Sequence, residues 1–381
     1  MKLDKILVIS FSPLGRDPRV LRQLRSLVRA GYEVTAAGYT SPGIESVKWW
    51  KVEVVERTLL SKAIAVLKLK SHCYLSYYNS MAPVKSLKQQ WRDAGSPQFD
   101  LVLANDVESL PVALKIADSS PVFLDAHEYA PAEWGGFFWR FFFSGFKEWL
   151  CRVYLSKAAV MSTVCQGIAD EYQSHFGVQP MVMLNAPYIY DAQPHPLSNS
   201  RIRLVHHGIA ARERALEEMV RAMDELDDRY ELYLYLVSVR EPDPYIEELK
   251  AMACDRVHFM SPVATEEIVP MLNRYDIGLA VIPPNNLNYQ MCLPNKFFEF
   301  VQARLAIVTG PSQEMARLVR QYDLGRVSDD FSAQSIAKTV QSMSCHDLWH
   351  CKQQSDAAAK ELCFDAQEPQ FLESVQQLVQ R

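Results

Sequence analysis

Ile6-Leu7-Val8-Ile9-Ser10, the first apolar run of the chain, leads into Phe11 to Pro18, a stretch that Pro13, Gly15 and Pro18 keep irregular. Val20, Leu21, Leu24, Leu27 and Val28 then recur at helical spacing up to Gly31, and Tyr32-Glu33-Val34-Thr35-Ala36-Ala37-Gly38 returns to extended character. A buried strand, a loop, an amphipathic helix and a second strand in this order make a βαβ unit. A connection that carries a helix makes its two strands parallel, and an open parallel sheet gathers its chemistry at the carboxyl ends of its strands.

The same signature continues outward. Leu101-Val102-Leu103-Ala104 precedes Asn105-Asp106, Val122-Phe123-Leu124-Asp125 precedes Ala126-His127-Glu128, and Ala159 to Thr163 forms another strand. A polar stretch with prolines from Asn185 to Asn199 reads as a linker. Beyond it a second α/β series begins with Ile202 to Gly208 and a helix carrying Leu216, Met219, Val220 and Met223. Its further strands are Leu232 to Val237, Val257 to Phe259, Ile277 to Val281 and Ala306 to Thr309. From about Asp347 the pattern is helical, with Phe371, Leu372, Val375, Leu378 and Val379 forming an apolar stripe. A chain of 381 residues suits two domains of ordinary size.

Hydrophobic residues at 49%, charged at 22% and aromatic at 11% describe a folded globular chain. The net charge of -5 gives no nucleic-acid footprint, but it is unevenly spread: 21 Lys+Arg stand against 17 Asp+Glu in residues 1–190, and 19 against 28 in the remainder. A basic first half suits contact with anionic material such as phospholipid or a phosphate-bearing substrate. Eight scattered cysteines without a CxxC pair suit reduced thiols in a cytoplasmic chain. The N-terminus reads as a strand and not as a signal peptide, and no run reaches the roughly 18 apolar residues of a spanning helix. The expected location is therefore cytoplasmic, peripheral on the inner face of the cell membrane. Two segments motivate that contact. Residues 47–91 mix Lys48, Trp49, Trp50, Lys51, Lys62, Lys68, Lys70, Lys85 and Lys88 with Leu, Val and Tyr, as amphipathic helices on an anionic surface do, and Trp134 to Phe146 is crowded with aromatics. The alternative is that both pack internally.

No GxGxxG follows the first strand, and neither GxxxxGK[ST] nor GxSxG occurs, which removes support from dinucleotide enzymes, P-loop kinases and α/β-hydrolases. His346 and His350 within Cys345 to Cys351 share a helix face, yet no second cluster completes a zinc site.

Several motifs, in order, resemble one known family. They are Asp17-Pro18-Arg19-Val20 with Ala30-Gly31-Tyr32-Glu33-Val34, Asp100-Leu101-Val102 with Asn105-Asp106, and Asp125-Ala126-His127-Glu128. Ser162-Thr163-Val164, Leu184-Asn185-Ala186-Pro187, His207-Gly208 with Arg212 and Arg214, Asp276 to Ala280, and Leu293-Pro294-Asn295-Lys296-Phe297-Phe298-Glu299-Phe300 follow. Together they resemble retaining glycosyltransferases of the GT-B fold, in particular the nucleotide-sugar-dependent family 4, many of which build bacterial surface polysaccharides. The resemblance spans nearly the whole chain. It implies two facing Rossmann-like α/β/α domains, an acceptor-binding domain at 1–195 and a nucleotide-sugar-binding domain at 196–355, with a C-terminal helix at 356–381 crossing back to the first. It further implies hexosyl transfer with retention, from a nucleotide-sugar donor to a saccharide or lipid-linked acceptor, without a metal or other cofactor.

Release of a diphosphate needs cations and helix N-termini to receive negative charge. Arg214, at the start of the helix behind Gly208, suits that task, and the family places a diphosphate contact there. The family's other basic residue, directly after the glycine, is Ile209 in this chain, so Arg212 is the expected substitute. Asn295 and Lys296 open a helix whose N-terminus suits phosphate. Glu299 matches the second glutamate of the family's E-x7-E pair, which binds ribose hydroxyls; the first falls at Met291. His127 matches the family's catalytic histidine, a polar stabiliser near the reacting carbon. Asp106 and Glu128 are implied to meet the acceptor, as are Gly15, Arg16 and Asp17 in the first loop. Front-face displacement, as the family uses it, needs no carboxylate pair at glycosidase spacing. The structural readings stay open at each position: solvated arginines, an exposed helix acid, a satisfied core histidine, a plain βα turn. Two other functions fit the same residues, a UDP-sugar 2-epimerase of this fold, which needs acid/base carboxylates, and a catalytically silent nucleotide-sugar-binding protein.

Overall fold

The computed structural model describes residues 3–54, 58–133, 140–197, 201–238 and 242–380. The chain divides into two compact units, Met1–Met183 with Gln367–Arg381, and Leu184–Ala366.

The first unit is built on seven strands: β1 (Lys5–Ile9), β2 (Glu33–Gly38), β3 (Lys48–Lys51), β4 (Leu101–Asn105), β5 (Val122–Ala126), β6 (Val160–Thr163) and β7 (Met181–Val182). Their order is β3-β2-β1-β4-β5-β6-β7, with every pairing parallel. Ile6 to Ile9 and Leu101 to Ala104 are fully buried, so both faces of these strands are covered, which is why they read as unbroken apolar runs. The helix Pro18–Arg29 begins where Asp17 accepts the Val20 amide and Pro18 fills the first turn.

Within residues 47–91 the chain forms the helices Leu59–Lys70 and Ala82–Asp93, whereas Lys48–Lys51 is an edge strand. Adjacent tryptophans favour a pleated surface. Trp50 is buried edge-on against Phe99, with centroids 5.8 Å apart, and Trp49 Nε1 donates to the Gly38 carbonyl at 3.2 Å. Of the second aromatic segment, 134–139 lie outside the described residues. Phe146 is buried edge-on against Tyr77 at 4.9 Å, so its role is internal packing.

The second unit has six strands: β8 (Ile202–Ile209), β9 (Tyr230–Val237), β10 (Val257–Met260), β11 (Ile277–Ala280), β12 (Ala306–Thr309) and β13 (Gly325–Val327). They lie in the order β10-β9-β8-β11-β12-β13, again all parallel. A Cβ on Gly278 of β11 would fall 2.5 Å from the Phe300 ring. That close approach seats the helix Asn295–Gln302 directly on the sheet, beside β8.

The polar stretch behind β7 has no regular structure through residue 197 and belongs to the second unit. Its backbone groups are satisfied there: Tyr190 N donates to Gln302 Oε1 (3.0 Å), Tyr190 O accepts from Arg304 Nη2 (2.9 Å), and Gln193 O accepts from Asn273 Nδ2 (2.9 Å). At the other end of this unit Phe364 N donates to Pro187 O (2.7 Å) and Asp365 accepts from Ile189 N (2.7 Å). The helix Phe364–Val379 starts in the second unit and crosses into the first, where Phe371, Val375 and Leu378 are buried and Phe371 meets Phe123 edge-on at 5.9 Å. No helix among the described residues is long and apolar enough to cross a membrane.

Candidate functional site

In each sheet the strand order reverses beside the first strand, between β1 and β4 and between β8 and β11, and ligand crevices of parallel sheets form at the carboxyl ends there. In the second unit that position holds His206, His207 and Gly208. Gly208 has φ 125°, a conformation that side chains disfavour, and a Cβ there would lie 3.2 Å from both Arg214 Nη1 and Lys296 Nζ. Two cations therefore close over one backbone position.

Arg214 ends the 3₁₀ turn Arg212–Arg214, which Ala215 (φ 47°) turns into the helix Leu216–Ala222. Among the described residues no carboxylate pairs with its guanidinium. Lys296 is buried, and its Nζ lies 3.0 Å from His206 Nε2. Burial and then the neighbouring Arg214 push the Lys296 pKa well below its ordinary value. His206 is fully buried, with Nδ1 2.8 Å from the Leu279 carbonyl on β11. The carbonyl assigns the proton to Nδ1 and leaves the Nε2 lone pair facing Lys296. Burial and the lysine hold His206 well below its ordinary pKa, so the ring is neutral.

One helical turn past Lys296, Glu299 Oε2 stands 3.2 Å from His207 Nε2, at ion-pair distance. Asn295 Oδ1 is buried and has no hydrogen-bond partner among the described residues. Arg212 does not join this group. Its Nη2 meets Glu248 at 2.5 Å and its guanidinium lies over Tyr245 at 4.8 Å, so the second cation over Gly208 is Lys296 and the expected substitution by Arg212 is corrected.

The first unit brings together a different set. Asp125, at the carboxyl end of β5, is buried and accepts from Arg19 Nε (2.7 Å) and Nη2 (2.6 Å), Gln23 Nε2 (2.5 Å) and Ser162 Oγ (2.7 Å). Burial opposes its charge, but the Arg19 guanidinium beside it holds the carboxyl far below the carboxylate range. His127 Nε2 lies 3.1 Å from Asn105 Oδ1 and 3.5 Å from Asp125 Oδ2, and Nδ1 lies 3.6 Å from Asp106 Oδ2. Against the effect of burial, Asp106 and Asp125 raise His127 to about 9, so it is an imidazolium at neutral pH. Asp106 (φ 64°) also accepts the His127 backbone amide at 3.0 Å. Glu128 is exposed, and its carbonyl accepts from Tyr172 Oη at 2.8 Å.

In the first loop, Gly15 N donates to Thr40 Oγ1 (3.3 Å), Arg16 is exposed, and Asp17 is taken up by capping the first helix and by Ser12 Oγ (2.8 Å). Thus Gly208, Arg214, Asn295, Lys296 and Glu299 form one group and His127 with Asp106 another, while Asp17 carries the fold. The sequence reading gave no role to His206, His207, Arg19 or Asp125. For His206, His207 and Asp125 the signal was a polar side chain on an otherwise apolar strand, which needs a buried partner, while Arg19, on the helix Pro18–Arg29, gave none. His350 pairs with Asp323 at 2.8 Å, and no cluster among the described residues could hold a metal ion.

No protein-family model matches the chain, and no curated protein matches it by sequence. Solved structures do. The chain is similar to sucrose-phosphate synthase from Thermosynechococcus elongatus (TM-score 0.71, 15% identity, 98% of this chain and 99% of that one). It is similar to HepE of Anabaena in complex with UDP-glucose (0.68, 14%, 98% and 99%) and to WaaG, a glycosyltransferase involved in lipopolysaccharide biosynthesis (0.66, 13%, 96% and 98%). With two Rossmann-like units on seven- and six-stranded parallel sheets, and likeness along nearly the whole of these chains, the protein has the GT-B fold.

Proposed function

We propose that the protein is a glycosyltransferase that moves a sugar from a nucleotide-sugar donor to a saccharide acceptor, with retention of anomeric configuration, in polysaccharide or glycolipid assembly. The observation that carries this reading is the pair of cations over Gly208, one of them, Arg214, with no carboxylate partner among the described residues. Such a pair, beside the first turn of the helix Asn295–Gln302, suits a diphosphate. HepE, whose structure holds UDP-glucose, has the same fold.

In the transfer, the bond between the anomeric carbon and the diphosphate oxygen breaks and a bond from the acceptor hydroxyl forms on the same face. The acceptor's proton passes to the departing phosphate oxygen, and Arg214 with Lys296 receives the charge of the leaving nucleoside diphosphate. Glu299 serves the ribose hydroxyls, and the unpaired Asn295 oxygen suits a donor N–H or O–H of the nucleotide. His127 supplies polar stabilisation at the sugar, with Asp106, Glu128, Gly15 and Arg16 toward the acceptor. No metal or other cofactor takes part in this reading. A thermal-shift screen with UDP-, GDP-, ADP-, dTDP- and CMP-sugars tests it: one donor raises Tm, because a ligand bound only by the native state stabilises it. If none does, the reading fails. Product formation from the donor alone marks a 2-epimerase instead, and His127→Ala retains donor binding while losing transfer.

The acceptor in this reading is lipid-linked. The helix Leu59–Lys70 supports it: Leu59 and Leu60 are 85% and 72% exposed, Ile64 and Leu67 are exposed too, and Lys62, Lys68 and Lys70 accompany them. The protein is expected to co-sediment with vesicles containing phosphatidylglycerol at low salt and to release as salt rises. Indifference to vesicle charge would remove the membrane from the proposal.

A further inference from the structure

Resting on the reading of Arg214 and Lys296 as a diphosphate site, we propose that His206 is the residue that positions Lys296, holding its Nζ over Gly208 through a neutral partner that does not compete with an incoming diphosphate. Lys296 and Glu299 are three residues apart on one helix, where opposite charges ordinarily pair with each other. Here the two preceding histidines lie between them: His207 Nε2 stands 3.2 Å from Glu299 Oε2 without a hydrogen bond, and His206 Nε2 is hydrogen-bonded to Lys296 Nζ at 3.0 Å. A carboxylate in the place of His206 would cancel the lysine's charge. A neutral imidazole accepts one N–H and leaves two ammonium protons and the full charge for an anion. The Leu279 carbonyl makes this arrangement fixed, because by taking Nδ1–H it permits no tautomer but the one with a lone pair on Nε2.

The proton linkage follows from what faces the lysine. His206 comes from β8, Arg214 from the turn behind it, Glu299 from the lysine's own helix and Cys292 from the segment before it, while His207 adjoins His206. Burial and Arg214 disfavour the ammonium in the free protein, more than Glu299 and Cys292 restore it. An incoming diphosphate reverses that balance, so binding takes up a proton. Affinity then falls with rising pH, by up to tenfold per unit, once pH passes the free-site value of Lys296.

The test is calorimetric titration of the full chain with UDP, GDP and ADP, and with inorganic pyrophosphate as the probe lacking a nucleoside. Measurements over a range of pH in buffers of different ionisation enthalpy give the protons taken up. The wild type takes up protons, and Lys296→Met abolishes the uptake. His206→Leu weakens binding about tenfold or more, the scale of a lost charge-assisted hydrogen bond. His206→Gln, whose amide oxygen can still accept from the lysine, recovers part of that loss. In the Lys296→Met background His206→Leu has no further effect, which a merely structural role for His206 would not give. If His206→Leu fails to fold, the wild-type uptake and His206→Gln decide. Unchanged affinity and uptake in either His206 variant, or equal weakening with and without Lys296, overturns the inference and leaves the donor site standing. If the wild type binds none of these probes, the donor-site reading falls and this inference falls with it.

Discussion

Replacing Arg214 by alanine or Lys296 by methionine lowers sugar transfer by about 10²–10³-fold, the loss seen when one preorganised donor to a developing charge is removed. Arg214→Ala does not lower the melting temperature, and Lys296→Met lowers it by no more than the loss of its hydrogen bond to His206 costs. Arg214 has no carboxylate partner among the described residues to orphan, and Lys296 is a buried cation whose removal relieves burial and repulsion from Arg214. Loss of activity with little loss of stability separates groups kept for a ligand from groups kept for the fold. Initial rates with the donor found by thermal shift, set beside melting curves, check both halves. Unchanged turnover in both variants would remove these residues from the reaction, and unfolding of either would make them structural.

The opposite pattern is expected in the first unit. Asp125→Ala leaves Arg19, itself buried, without its bidentate partner and orphans Gln23 and Ser162, at a cost of about 3–5 kcal/mol. Arg19→Met together with Asp125→Leu removes both charges and recovers much of that loss. Six of the seven tryptophans lie in the first unit and only Trp349 in the second, so tryptophan fluorescence in urea follows the unit concerned. A midpoint for Asp125→Ala equal to that of the wild type would show the pair to be dispensable. The sign with pH is set by the depressed Asp125 pKa: its contribution is complete above the unfolded value, about 4, and erodes as pH falls below it.

The parallel sheets were legible because strands covered on both faces must be apolar throughout, as Ile6 to Ile9 and Leu101 to Ala104 are. Lys48–Lys51 was not, since four residues are too few to display a period and the flanking lysines imitate an amphipathic helix. At the site, Gly208 and Arg214 stood out by position at and behind a strand end, Lys296 by opening a helix, and Glu299 only by the family resemblance. The choice between Arg212 and Lys296 did not, because it depends on where long side chains reach. Arg212 lies closer in sequence but has Glu248 and Tyr245 to hold it away, and Lys296 arrives from another helix. His206 and Asp125 were visible as polar residues on apolar strands, but their partners, Lys296 and Arg19, are brought to them only by the tertiary fold.

The division of the chain bears on how it is made. The second unit is one continuous segment, 184–366, whose ends are tied together by the Phe364–Pro187 and Asp365–Ile189 bonds. The first unit is interrupted, and its core includes Phe371, Val375 and Leu378 from the helix Phe364–Val379, which follows the second unit in sequence. During synthesis the second unit has all its residues while the first, though begun earlier, still lacks part of its core. The half that starts first is thus completed after the other, and its apolar surface near Phe123 stays uncovered until the segment carrying Phe371 has been made.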